Sequence, residues 1–330
     1  MTVVPSSEPR SQVSGDDVAR TGASSSRRST ASLETLEISR RPGPIKRLHH
    51  VWQYRELLMN LVRKELKVKY KDSILGFFWT LLNPALQIVV FSFVFGVLFK
   101  AAMPKFAIFM ICGLLPWTFF TNAISGGTGS IVGNSQLVNK VWFPREILPL
   151  ASVGAAMVHW FLQSIVLVIA LAVVHIGPAA GYLWLLVPAI LVLVTFSAAM
   201  GIMLSAVNVY LRDTQHLLEL VLLAWFWATP IVWGYPQLSN KLVQHGIPAN
   251  IGLANPITPI VLTFQRALYH QWVFNGQKTI NGYPVDGATV PGSPFWYLRN
   301  LAIIGVGAVA LLWFALWLFG RLEDNFGEEI

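Results

Sequence analysis

The chain has 330 residues, 54% of them hydrophobic and only 12% charged, with a formal net charge of +8, 13 Trp and 20 Phe. A water-soluble domain carries about 25% charged residues, so this is the composition of a membrane protein; its cations gather ahead of the first long apolar run, which points to anionic headgroups and membrane orientation and away from nucleic acid. Cys112 is the only cysteine and lies within an apolar run, which excludes disulfides within the chain and thiolate metal clusters.

Residues 1–44, typified by RTGASSSRRSTAS, are rich in Ser, Thr, Arg and Gly and poor in aromatics, so they cannot bury enough surface to offset the entropy of ordering. They read as a disordered cytoplasmic tail. No apolar core follows their charges, which argues against a cleavable signal peptide, and the acids Glu8, Asp16, Asp17, Glu34 and Glu37 argue against a transit peptide.

In HVWQYRELLMNLVRKELKVKYK, Tyr54, Leu57, Leu58, Leu61, Val62 and Leu66 recur at helical spacing opposite Arg55, Glu56, Arg63, Lys64 and Lys67. The pattern predicts an amphipathic helix lying in the headgroup plane with its cations on the wet side. A soluble helix covering a core would show the same pattern; the adjoining span favours the interface.

Charge then stops after Asp72 until Lys100. A membrane-crossing helix needs about 20 predominantly apolar residues, and six stretches qualify: about Ile74–Phe99, Phe106–Gly133, Leu148–His175, Tyr182–Asn208, Leu217–Tyr235 and Tyr297–Gly320. Pro84, Pro116, Pro188 and Pro230 fall within them and predict kinks, which neighbouring helices make tolerable. Lys and Arg beside a span favour the cytoplasmic side. With the amino terminus inside, Lys140, Arg145, Arg212 and Arg321 fall on cytoplasmic connections or ends, the short outer connections carry only Lys100 and Lys105, and the carboxyl terminus returns to the cytoplasm. The long connection Pro236–Trp296 is then external. Its segment ANPITPIVLTFQRALYHQWVF is too broken by Pro and Arg266 to span, and predicts short re-entrant or interfacial helices.

Familiar chemistry is missing. There is no G-x-x-x-x-G-K-[ST] loop to cradle ATP phosphates, no H-E-x-x-H and no Cys/His cluster or spaced carboxylate pair for a metal. The external loop offers only Asp286 of the carboxylates a polyprenyl-phosphate glycosyltransferase would need for a divalent ion. An ion-driven transporter needs ionisable groups along its path. Glu219 lies within two turns of a predicted cytoplasmic helix end, His175 falls at the outer boundary, and His159, deeper, reads as a histidine bonded to a neighbouring carbonyl. The driving force therefore comes from elsewhere.

Four segments in order carry a resemblance: KVKYKDSILGFFWTLLNP (Lys67–Pro84), GLLPWTFFTNAISGGTGSIVGNSQLVNKVWFPREILPLAS (Gly113–Ser152), NVYLRDTQHLLELVLLAWFWATPIVW (Asn208–Trp233) and the terminal GRLEDNFGEEI. They resemble the permease of ABC-2 type polysaccharide exporters, which include the Wzm-type O-antigen and teichoic acid permeases, over about Leu48–Ile330. The resemblance implies an all-α integral membrane protein, with residues 45–330 forming the permease domain: six transmembrane helices, an N-terminal amphipathic interface helix and short re-entrant helices before the last span. It implies no catalytic residue, no metal and no cofactor in this chain. ATP and Mg would sit on two copies of a separate ABC ATPase subunit beside a permease homodimer. The cargo would be a polyprenyl-diphosphate-linked glycan of the O-antigen, teichoic acid or galactan type, moved outward across the inner or plasma membrane.

The resemblance also carries site residues. The connection Asn134–Pro149 matches the family's coupling helix, with Lys140, Phe143, Arg145 and Glu146 as ATPase contacts and Arg212 and Asp213 as a secondary contact. The amphipathic helix and the turn Lys69–Gly76 match the interface helix and cytoplasmic gate, where Lys67, Lys69 and Lys71 would meet a lipid diphosphate. Positive-inside orientation explains the same lysines equally well. Aromatic faces and small polar groups suit a sliding sugar, and Trp79, Trp117, Phe119, Phe120, Asn122, Trp225, Trp227 and Tyr235 are the candidates, although Trp and Tyr also populate interfacial belts. Gly129 and Gly133, four apart, permit close approach between helices. Export of a small lipid or drug, a membrane enzyme using the same carrier lipid, and an assembly scaffold are the alternatives.

Overall fold

The computed structural model describes residues 43–71, 78–98, 105–236, 242, 244–246, 248–269, 279–280, 283–284, 290, 292–323 and 326–329. The predicted tail, apart from Gly43 and Pro44, and most of the gate turn lie outside them. The described chain is mostly helical: α1 (Pro44–Gln53), α2 (Arg55–Tyr70), α3 (Phe78–Phe91) continuing as a π-helix Ser92–Leu98, α4 (Phe106–Gly133), α5 (Ser135–Lys140), α6 (Ile147–Val173), α7 (Ala180–Leu183), α8 (Leu186–Tyr210), α9 (Thr214–Ala228), a 3₁₀ turn Ala249–Ala254, α10 (Ile257–Phe264) continuing as a π-helix Gln265–Tyr269, α11 (Pro294–Leu322) and α12 (Phe326–Glu329). A two-residue antiparallel pair joins Thr279–Ile280 (β1) to Tyr283–Pro284 (β2).

Among the described residues, four helices have the length and apolarity to cross a membrane: α4, α6, the α7–α8 run Ala180–Tyr210, and α11. Prolines at their starts cost little, because a first-turn residue has no intrahelical N–H partner to lose. Pro294 occupies such a position behind Ser293, whose hydroxyl accepts from Trp296 N at 3.3 Å. The helix α4 is central: it packs against α3, α6, α8, α9 and α10 and is buried along most of its length. By contrast α6 and α11 turn Phe161, Val168, Val173, Val306 and Trp313 outward. An exposed apolar belt around a buried, close-packed interior is what a bilayer requires.

The stretches predicted as the first and fifth spans are shorter helices. α3 contains Pro84 and passes into π geometry after Phe91. α9 stops after 15 residues at Ala228, where Thr229 is extended (ψ 136°) ahead of Pro230. A residue before proline is pushed out of helical geometry, and hydropathy is blind to that.

Beyond α9 the chain folds back into the bundle. Asn255 Oδ1 accepts from Trp225 Nε1 (2.8 Å) and Ile257 N (3.0 Å), while its Nδ2 donates to Thr229 Oγ1 (3.0 Å). Trp225 packs edge-on to Phe120, which lies about 21 Å along α4 from Phe106, so the chain turns deep inside the bundle. From there α10, wholly buried, climbs to Tyr269 beside Phe109, with Gln265 Nε2 donating to Pro230 O at 2.9 Å. Arg266 remains at the rim with its guanidinium 4.5 Å over the Tyr182 ring. Asn255→Ala, which removes these bonds at about 1 kcal/mol each, is expected to destabilise the protein by about 2–3 kcal/mol. Thermal unfolding in detergent measures it; an unchanged midpoint for the alanine variant refutes the role of Asn255 as a tie.

The amphipathic reading has its counterpart in α1 and α2. Val51, Leu61 and Val62 are buried, and Arg55, Glu56, Arg63, Lys64, Lys67 and Lys69 are exposed. The apolar face of α2 packs across α6, where Gly154 makes room: a Cβ there would lie 2.7 Å from Val62 Cγ2. Ser152 Oγ donates to Glu65 Oε1 at 2.9 Å. Burial holds the Glu65 carboxyl above its ordinary value, against the opposing pull of that hydrogen bond and of Lys64.

Candidate functional site

The end of the bundle holding the α4–α6 connection gathers most of the predicted polar site residues. Here α5 is a single six-residue helix, after which Val141 is extended and the chain turns through Phe143–Glu146 into α6. Phe143 points inward to a cluster with Val138, Ile147, Leu148, Val209 and Phe319, while Trp142 is 81% exposed. Lys140 is exposed beside it. A buried phenyl group therefore pins the loop while an indole is presented outward.

Arg145 and Glu146 lie behind this surface. Glu146 is 1% exposed and Arg47, from α1, is 8% exposed. Arg47 Nη1 donates to Glu146 Oε1 and, at 2.8 Å, to Glu323 Oε2 just past α11. Arg145 Nη1 donates to the Glu323 carbonyl at 2.7 Å and its guanidinium lies 5.7 Å from the Phe326 ring centroid. Burial alone would lower the Arg47 pKa; the Glu146 charge and the bonds to both carboxylates outweigh it and hold the guanidinium firmly charged. Glu323 is pushed above its ordinary value by burial and by the neighbouring Glu146 charge, against the opposing pull of Arg47. The cluster thus fastens α1, the α4–α6 connection and the end of α11 to one another. Gly320 allows it, since a Cβ there would lie 2.8 Å from Arg47 Nη2.

Arg212 and Asp213 are exposed on the turn between α8 and α9, next to Tyr210, whose hydroxyl donates to Leu322 O at 2.7 Å. Lys67, Lys69 and Lys71 are exposed along the end of α2. Lys64 Nζ donates to Asn134 Oδ1 at 2.8 Å, joining α2 to the start of the connection.

The aromatic candidates separate into two groups. Trp117, Phe119, Phe120 and Tyr235 are buried inside the single chain. Phe120 stacks on Phe196 (5.7 Å between centroids) and Trp117 meets Phe226 at 5.8 Å. Trp225 is half-buried, whereas Trp227 and Asn122 are exposed. The side chain of Trp79 lies outside the described residues. Arg47 and Glu323 were not legible as site residues, because their partners lie 99 and 276 positions away and no local pattern marks them. Among the described residues no cluster of His, Cys, Asp and Glu could hold a metal ion.

Comparison with known proteins adds a family. The ABC-2 type transporter family model matches residues 56–267. An O-antigen export system permease protein RfbA of Myxococcus xanthus is 31% identical over 286 residues, covering 87% of this chain and 100% of that protein. A Klebsiella pneumoniae protein of the same name is 28% identical over 221 residues, 67% of this chain and 83% of its own length. The polysialic acid transport protein KpsM of Escherichia coli is 21% identical over 223 residues, 66% and 82% of the two chains.

Proposed function

This chain belongs to the ABC-2 type transporter family, and from that premise we infer that it is the transmembrane subunit of an ATP-driven exporter that moves a polysaccharide on a polyprenyl-diphosphate carrier outward across the membrane. The observation that carries this reading is the alignment with the Myxococcus O-antigen export permease over the whole length of that relative. Two permease copies, each with six spans and a re-entrant α10, enclose the route in the inner or plasma membrane with both termini cytoplasmic, and residues 45–330 form the permease domain behind a separate tail. Two ABC ATPase subunits, each holding ATP and Mg, supply the work.

Coupling runs through the α4–α6 connection, with Arg212 and Asp213 as a second contact. Trp142 and Lys140 present the docking surface; Phe143, Arg145 and Glu146 hold it from behind, so that ATPase movement passes to α1, α6 and α11 together. Lys67, Lys69 and Lys71 lie where a lipid diphosphate is offered at the inner headgroup level. Depleting the protein is expected to leave long glycan on its carrier lipid at the inner leaflet, measured by lipid extraction; no accumulation favours a small lipid or drug as cargo. An exposed Trp at the centre of an interface contributes about 2 kcal/mol or more, so Trp142→Ala is expected to weaken ATPase association about 30-fold. Titrated co-purification measures this, and an unaltered affinity removes the connection from the coupling route.

A further inference from the structure

Between α3, α4 and α6 lies a cavity of about 190 Å³ lined by six uncharged polar side chains, those of Asn83, Gln87, Thr118, Thr121, Asn122 and Gln163. Thr118 and Asn122 fall near the middle of the 28-residue α4, roughly 18–24 Å along a helix of about 42 Å, so the site is at mid-depth in the apolar slab. The Thr118 hydroxyl lies 3.1 Å from both Leu115 O and Gln163 Oε1 with one proton to share, and the Thr121 hydroxyl donates to Thr118 O at 3.2 Å. Asn83 and Asn122 are exposed at the surface of the single chain, and Gln87 is half-exposed.

Amides at that depth cannot face hydrocarbon without a heavy desolvation cost. The mouth of the cavity must therefore look onto water or onto a group that donates and accepts hydrogen bonds. An amide does both, as does a sugar hydroxyl, and the match holds whichever way the hydroxyl points. Pro84, Ile111 and Leu114 add apolar walls for sugar C–H faces. Among the described residues no Lys, Arg, His, Asp or Glu lines the cavity, so a polyanionic chain would find no countercharge and a neutral chain nothing that arrests it.

We propose that this amide and hydroxyl cluster is a sliding subsite for an uncharged, hydroxyl-rich glycan at the membrane midplane. The proposal rests on the reading of the chain as a polysaccharide permease and adds the substrate class: neutral, unlike polysialate. A second copy of the chain packed over the same amides is the competing occupant.

The test uses the full permease assembled with its ATPase. In a Cys112→Ala background, Asn122→Cys is expected to react with a water-soluble methanethiosulfonate reagent; an unreactive thiol means that lipid or the second copy covers the face, and overturns the proposal. In cells making a neutral lipid-linked glycan, the Gln87→Leu/Asn122→Leu pair is expected to slow export about tenfold with ATP hydrolysis intact, while Gln87→Asn/Asn122→Gln stays within about twofold. Unchanged export by the leucine pair beside a working wild type sinks the subsite alone. A wild-type complex that exports no glycan sinks the permease reading and the subsite with it.

Discussion

Replacing Arg47 with alanine is expected to destabilise the protein by about 3–5 kcal/mol, the range for removing one partner of a buried ion pair. Without the guanidinium, Glu146, whose side chain is 2% exposed, and Glu323, whose side chain is 23% exposed, would lose the cation that bridges them, and like charges repel more strongly where little solvent screens them. Both bonds leave the same Nη1, so Arg47→Lys, which keeps a charge that one nitrogen can share, is expected to lose less stability than the alanine variant. Packing an apolar group of similar volume among neutral partners should recover much of the loss, so Arg47→Met with Glu146→Gln and Glu323→Gln is expected to be far more stable than the single variant.

The pH dependence comes from the same residues. Glu323 already titrates above its ordinary 4.5 in the folded protein. Its folded pKa exceeds its unfolded one, so its favourable contribution is complete below about 4.5 and fades as pH rises through the raised value. Removing Arg47 raises that value further and makes the variant's deficit larger at pH 7 than at pH 5. Thermal unfolding in detergent at the two pH values measures both effects. A single variant as stable as the wild type at pH 7 would show that the cluster contributes nothing.

The second large effect is expected at Gly127→Leu. A Cβ at Gly127 would lie 3.0 Å from the Cα of Gly201, and a backbone atom inside a helix cannot move aside as a side-chain tip can. The contact is where α4 and α8 cross, and it is the close approach that small residues permit between membrane helices. Forcing a leucine into so tight a site costs about 3 kcal/mol or more, visible as loss of monodisperse protein and a lowered unfolding midpoint. Gly133→Leu is the control: nothing lies within 4 Å of its added carbon, and its effect should stay within about 0.5 kcal/mol. Equal behaviour of the two variants would show that the crossing is not set by Gly127.

The contrast between these glycines shows what the sequence discloses. A glycine-rich run announces close packing, and the run does contain the contact; which glycine faces the neighbour depends on the rotation of two helices, which spacing within one of them cannot reveal. The bounds of α4 were legible because Lys105 and Asn134 flank a run without a charged residue, and α6, α8 and α11 were legible because each contains a comparably long uncharged stretch. The fifth stretch was not, since hydropathy continues to Tyr235 while Pro230 and Asn255 end the helix at Ala228. Arg145 and Glu146 stand out as polar residues at a span boundary, but their ties to Arg47 and Glu323 join segments far apart in sequence. The aromatic wealth of the spans was plain, yet Phe120 and Trp117 face other rings of the same chain.

The bond between Arg47 and Glu323 closes a loop of 276 positions, and that imposes a schedule on biogenesis. At roughly 5–20 residues per second, the ribosome needs on the order of tens of seconds between making one partner and releasing the other. Throughout that interval the first helix has no final berth and Glu146 has no complete cradle. The end of the bundle that holds this cluster therefore locks last, after every long apolar helix has been made.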